Sequence, residues 1–147
     1  TAIIGSNRRL GHMKILIMGL PGSGKTYLAQ RLQPLISAAW CNADKLREMA
    51  NDWDFSEQGR LRQSLRMKAF ANFESLQGRK VICDFVCPLK KTRENFNADL
   101  TIWMDTIKEG RFEDTNRIFE KPKEVDFHIT EWSDKTHIFL AEEINKL

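Results

Sequence analysis

This chain of 147 residues has little with which to staple itself. Its three cysteines, Cys41, Cys83 and Cys87, are odd in number and lack the paired spacing of a disulfide framework or a zinc site. No signal peptide is visible and no apolar run approaches the length of a membrane span, so a reducing cytoplasmic setting without a membrane partner is expected. An excess of one charge is missing too. The formal charge is +3, and two of the arginines, Arg8 and Arg9, lie in the opening TAIIGSNRRLGH, which has no initiator Met, no acid and no amphipathic period. Residues 1–12 are therefore expected to be an expression remnant, with the native start at Met13. Without them the balance falls to +1, since two arginines and no acid are lost, and no basic field remains to suggest a nucleic-acid partner. Neither repeats nor low-complexity linkers interrupt residues 13–147, which are expected to form one domain large enough to bury a proper core.

What is present is an alternation of two periods. MKILIMG at 13–19 is a continuous apolar run ending in glycine, the form of a strand buried on both faces of a parallel sheet. KTYLAQRLQ from Lys25 reads as a helix that stops before Pro34. ISAAWCNAD at 36–44 reads as a second strand. Apolar residues at 61, 65, 69, 70, 73 and 76 predict a helix from Ser56 to a cap at Gly78. Strands follow at 80–86, 99–105 and 125–130, with a helix after the third strand that has Pro88 in its first turn, and a last helix capped by Ser133. Such alternation predicts a three-layer α/β/α fold on a five-stranded parallel sheet, of the P-loop NTPase kind and like nucleoside-monophosphate kinases. Ligands in these sheets collect outside the carboxyl ends of the strands, where Asp44, Asp84, Asp105 and Thr130 are all expected.

GLPGSGKT, from Gly19 through Leu20, Pro21, Gly22, Ser23, Gly24 and Lys25 to Thr26, fits the phosphate-loop pattern G-x-x-x-x-G-K-[ST] in full. Glycines let the backbone wrap a triphosphate, successive N–H groups donate to its oxygens, Lys25 neutralises the β- and γ-phosphates, and the Thr26 hydroxyl coordinates Mg²⁺. ATP and Mg²⁺ are the expected cofactors, with Tyr27 following the loop. No N-K-x-D or D-x-x-G stands at a strand end, which argues against a GTPase, and the chain is short for an ATPase motor. A small-molecule or nucleotide kinase remains.

A kinase needs a carboxylate near the acceptor hydroxyl, and Asp44, at the end of the second strand, is the candidate. Arg47 lies one helical turn on, suited to an anion. Trp53 and Phe55 follow, then Arg60, Gln63 and Arg66 along one helix face. An acid, an aromatic and arginines describe a pocket for an anion attached to a flat ring. The alternative for Arg60, Arg62 and Arg66 is a solvated helix face.

At this point the chain resembles the adenylyl-sulfate kinases, over roughly residues 13–106. Their D-G-D-N-x-R appears as NADKLR, with Asp44 and Arg47 kept and Asn42 in place of the first Asp. Their G-F-S-x-x-D-R-x-E-N appears as DFSEQGRLRQ, with Phe55, Ser56 and Arg60 kept, Asp54 for glycine and Gln63 for asparagine. Their F-I-S-P-[FY]-R-x-x-R appears as FVCPLKKTR, with Phe85, Pro88 and Arg93 kept and Lys90 for arginine, and their V-D-T as Met104, Asp105 and Thr106. The resemblance implies that Asp44 orients or deprotonates the acceptor hydroxyl, that Arg47 and Arg60 hold a phosphosulfate, that Phe55 stacks on adenine, and that Phe85, Val86, Cys87 and Pro88 line the pocket. The acceptor it implies is the 3′-hydroxyl of adenosine 5′-phosphosulfate.

Other readings stay open. Asp84 is either a Walker B carboxylate supporting Mg²⁺ or a strand-end cap. The family's K-G-L-Y-K-K-A-R lid is absent, and residues 108–122, KEGRFEDTNRIFEKP, either replace it or form an exposed amphipathic helix. As a lid they would bring the catalytic candidates Arg111 and Arg117, with Phe112 or Phe119 for the missing ring. Trp132 either flanks the adenine of ATP or packs structurally. His128 and His137 have no carboxylate or thiol partner at metal spacing and are expected to be structural. Another nucleotide, a nucleic-acid end or a small anionic alcohol is an alternative acceptor, and a nucleotide-binding regulator without transfer chemistry an alternative class. The partners expected are small-molecule nucleotides, with a homodimer admitted.

Overall fold

A computed structural model describes residues 12–147, so most of the segment expected to be an expression remnant lies outside the described residues. Five strands and six helices alternate as β1 (Met13–Met18), α1 (Lys25–Ile36), β2 (Ala39–Asn42), α2 (Ala43–Ala50), α3 (Glu57–Leu76), β3 (Lys80–Asp84), α4 (Lys90–Phe96), β4 (Leu100–Met104), α5 (Glu113–Ile118), β5 (Phe127–Ile129) and α6 (Thr136–Asn145). The strands form one parallel sheet in the order β2-β3-β1-β4-β5. This is the expected three-layer α/β/α arrangement.

The strand period of two splits the core across the sheet. Met13, Ile15 and Ile17 of β1 face α1 and α6, where Leu28, Leu32, Leu140 and Ile144 are buried with them. Leu16 and Met18 face the other way, toward Met67 and Ala71 of α3 and Phe96 of α4. Cys41 and Cys83 are register partners on β2 and β3 and, like Cys87, are buried free thiols. Among the described residues no helix is long and apolar enough to cross a membrane.

Four local expectations need correction. Helix α1 runs through Pro34 to Ile36 and ends on Ser37 in the left-handed conformation. Pro34 removes only a last-turn bond, and burial of Leu32 (0% exposed) and Ile36 (3%) holds that turn on the sheet. The second strand is shorter than 36–44, because Asn42 caps α2 and Asp44 stands in that helix's first turn. Pro88 precedes α4 and its N-cap Leu89, outside the first turn. Ser133 does not cap α6, whose N-cap is Lys135; its hydroxyl accepts from the Lys135 N–H (3.1 Å) in the turn before the helix. Ser56 does cap α3, accepting from the Gly59 N–H at 3.2 Å.

Candidate active site

The turn from β1 to α1 wraps a cradle in which two glycines are required by close approach. Gly19 has φ +152°, and a Cβ there would lie 2.5 Å from the Met104 carbonyl oxygen of β4. Gly24 has φ +103°, and a Cβ there would fall 1.9 Å from the Trp132 indole. Both positions therefore exclude a side chain. The Thr106 hydroxyl, just past β4, donates to the Ser23 carbonyl at 2.7 Å and pins the loop from behind. The Ser23 hydroxyl is buried and has no partner among the described residues.

Lys25 opens α1 and folds back so that its Nζ donates to the Leu20 carbonyl at 3.0 Å, across the loop. Burial pulls its ammonium down from an ordinary value of 10.5 to about 8, against the attraction of Asp84 and Asp44 and with added repulsion from Arg111. The ammonium is half-buried, its one hydrogen bond is to a neutral carbonyl, and among the described residues no carboxylate pairs with it directly, which leaves it without an anion in contact. The phosphates of ATP fit that deficit. Such an anion favours the protonated lysine, so ADP binding must weaken as pH rises through about 8, where the free protein loses the proton it needs. Calorimetric titration is expected to give roughly tenfold weaker ADP binding at pH 9 than at pH 7, with proton uptake at the higher pH.

Thr26 and Asp84 meet across the sheet end. The Thr26 hydroxyl donates to Asp84 Oδ2 at 2.9 Å, the Trp40 indole donates to Oδ1 at 2.8 Å, and the Asn42 amide nitrogen lies within 3.1 and 3.3 Å of the two oxygens. Burial pushes the Asp84 carboxyl upward, and these donors pull it back. No group of three His, Cys, Asp or Glu that could hold a metal occurs among the described residues. A hydroxyl and a carboxylate alone suit Mg²⁺, which keeps waters and takes substrate phosphate oxygens rather than a protein-only cage. The strand-end position of Asp84 was legible in the sequence; its donors Trp40 and Asn42 were not, although their i, i+2 spacing puts them on one face of β2.

On the acceptor side the arginines divide. Asp44 is exposed and its carboxylate makes no hydrogen bond or ion pair among the described residues. Arg47 is buried (5% exposed), donates to the Asp52 and Asp54 carbonyls at 2.8 and 3.1 Å, and lies 4.3 Å over the Phe55 ring. Arg62 and Arg66 converge on Asp52, both at 2.6 Å, and hold its carboxyl well below the usual range. Gln63 is buried and ties α3 to α2 through the Ala43 carbonyl at 2.9 Å. Arg60 is half-buried, and Trp53 and Phe55 are exposed. The 51–56 loop thus rests on Arg47, and Arg47→Ala is expected to destabilise the fold by about 2 kcal/mol through orphaned carbonyls, read as a lower denaturation midpoint in urea.

The third strand leads into Phe85 and Cys87, both in the core, with Val86 and Pro88 partly exposed beside them. Cys87 holds φ +47°, and burial pushes its thiol up to about 12. Arg93 donates to the Cys87 carbonyl at 2.8 Å and to the Glu120 carbonyl, joining this loop to the end of residues 108–122. Within that segment α5 buries nothing, Arg117 pairs with Asp114, and Arg111 lies 5.4 Å from the Phe112 ring. Phe119 stacks on Trp103, which leaves Phe112 as the exposed ring. At its start Gly110 abuts Pro21 of the phosphate loop and exchanges two hydrogen bonds with the Asn116 amide.

Trp132 follows β5, half-exposed, edge-on to Tyr27 at 5.5 Å and against Gly24. His128 has the carboxylate partner its sequence neighbours lack: Asp105 Oδ2 lies 2.8 Å from its Nε2, brought there by the pairing of β4 with β5, and its ring stacks on Trp103 at 4.3 Å.

A sequence model of the adenylylsulphate kinase family matches residues 11–109. A probable adenylyl-sulfate kinase from Aeropyrum pernix is 33% identical over 88 residues, 54% of this chain and 46% of that one. A cytidine diphosphoramidate kinase from Campylobacter jejuni is 36% identical over 73 residues, 46% of this chain and 43% of that one. The chain spans less than half the length of either curated relative. In fold it is similar to the Mycobacterium tuberculosis APS kinase solved with AMPPNP and APS, at a TM-score of 0.70 and 20% identity over 92% of this chain and 96% of that one. With the family model covering well over half of its residues, the chain belongs to the adenylylsulphate kinase family.

Proposed function

We propose that this chain is an ATP-dependent kinase that transfers the γ-phosphoryl group to a hydroxyl of a nucleotide-like anionic acceptor, the first choice being the 3′-hydroxyl of adenosine 5′-phosphosulfate. The observation that carries this is the half-buried Lys25, its Nζ folded across the phosphate loop onto the Leu20 carbonyl, beside the Thr26–Asp84 pair and within the electrostatic reach of Asp44 at the same sheet end. The loop N–H groups and Lys25 hold the phosphates of ATP, with Trp132 and Tyr27 beside its base. Thr26 and Asp84 would hold Mg²⁺, which when bound would supply charge neutralisation at the transferring phosphoryl group. Asp44 takes the proton of the acceptor hydroxyl as its oxygen bonds to the γ-phosphorus, and the bond from that phosphorus to the β,γ-bridging oxygen breaks to release ADP. Arg60, Phe55 and the Arg47-supported loop face the acceptor, with Gln63 and the stretch Phe85 to Pro88 behind them. Residues 108–122 act as the lid, and Arg111, already close enough to repel Lys25, neutralises transferring charge with Arg117.

One observation favours a second acceptor. The Campylobacter relative, whose name gives cytidine diphosphoramidate as its substrate, is as similar as the adenylyl-sulfate kinase. Both compounds are nucleotides whose 5′-phosphate bears a second tetrahedral group, so one anion site serves either, and the base contact decides between them. ADP release from Mg-ATP, measured with each acceptor in turn, tests the reading. Turnover with adenosine 5′-phosphosulfate supports the first choice, turnover with cytidine diphosphoramidate alone moves the chain to the second, and ADP binding with no turnover on any nucleotide acceptor leaves a regulator.

A further inference from the structure

Asn42 is the last residue of β2 and the N-cap of α2, and its side chain faces both ways. Its Oδ1 accepts from the Lys45 N–H at 3.0 Å, satisfying an orphan donor of the helix that carries Asp44. Its Nδ2 donates to Thr26 Oγ1 at 3.2 Å and toward Asp84 at 3.1 Å. The amide orientation follows from these partners: reversed, it would set NH₂ against an N–H and a carbonyl against a carboxylate. No other short side chain does both tasks. An aspartate caps a helix but has no proton to donate and would sit beside the Asp84 carboxylate, while a serine caps but lacks the reach.

We infer that Asn42 is a positioning residue that couples the Mg-nucleotide site to the acceptor helix. Thr26 and Asp84 are the side chains that would hold the ion, and the amide bonded to both lies at the N-terminus of α2, two residues before Asp44. Filling the donor site thereby fixes the first turn of the helix from which Asp44 reaches the acceptor. Trp40, on the same strand face, anchors Asp84 Oδ1, which the Asn42 amide also approaches at 3.3 Å, while Thr26 and Asn42 both donate to Oδ2. The inference rests on the kinase reading given above.

The test compares Asn42→Ser, which keeps a capping oxygen and loses the reach, with Asn42→Ala, which loses both. The probes are ADP in EDTA and ADP with Mg²⁺, read by calorimetry, by melting temperature and by hydrogen exchange of amides 43–47. For Asn42→Ser the ligand-free melting temperature is expected to fall by about 3 °C for the donor lost to buried Asp84, ADP binding in EDTA to match wild type, the Mg²⁺-dependent gain in affinity to fall about tenfold, and the Mg-ADP-induced protection of 43–47 to disappear. Asn42→Ala adds a loss of about 3 °C in melting temperature. Full Mg²⁺ gain and full protection in Asn42→Ser overturn the coupling alone. A wild-type chain that binds no ADP under either condition overturns the kinase reading itself.

Discussion

Lys25→Ala is expected to lower kcat/KM for phosphoryl transfer by about 10³-fold or more, the scale of losing a preorganised charge at the transferring group. The ammonium sits across the phosphate loop on the Leu20 carbonyl, and Arg111, the cation near it, belongs to residues 108–122 and not to the loop that wraps the phosphates. The fold should survive, because alanine is the best helix former at the first residue of α1. Its stability should even rise. With a folded-state value near 8 against 10.5 for a free lysine, the unfolded chain binds the proton more tightly, so the buried ammonium destabilises the ligand-free protein at every pH below about 8 and the penalty fades as pH climbs toward 10.5. A ligand-free melting temperature at pH 7 equal to or above wild type, together with lost transfer, separates this effect from misfolding.

Asp44→Asn is the second large effect: a fall of about 10² or more in kcat with the true acceptor, and unchanged ADP binding. Asp44 is exposed in the first turn of α2 and its carboxylate has no hydrogen-bond partner among the described residues, so an isosteric amide disturbs nothing that holds the fold. Turnover unaffected by the substitution would remove the general-base role from this carboxylate.

The phosphate loop was legible because its chemistry is contiguous: eight successive residues carry the backbone wrap, the charge and the hydroxyl. The sheet was legible for a similar reason, since continuous apolar runs such as MKILIM announce strands buried on both faces. What escaped were features made by register and packing. Asn42 looked like a lost acid of the family motif, and only the pairing of Asn42 with Asp84 across β2 and β3 turns it into the donor that braces that acid. Arg47 looked like an anion ligand, yet the loop folding over it engages its guanidinium with two backbone carbonyls and the Phe55 ring. His128 gained Asp105 because β4 and β5 run side by side, which linear spacing does not display. Pro34 stayed inside a helix because tertiary burial outweighed a local stop signal.

The central claim is transfer of the terminal phosphoryl group to a nucleotide hydroxyl. The most direct measurement follows ³²P from the γ-position of ATP, with Mg²⁺, into adenosine 5′-phosphosulfate and into cytidine diphosphoramidate. The account predicts that label appears as a phosphate monoester on the acceptor's ribose, in wild type and not in Lys25→Ala. Label found only in inorganic phosphate, or retained in ATP with both acceptors present, would contradict it.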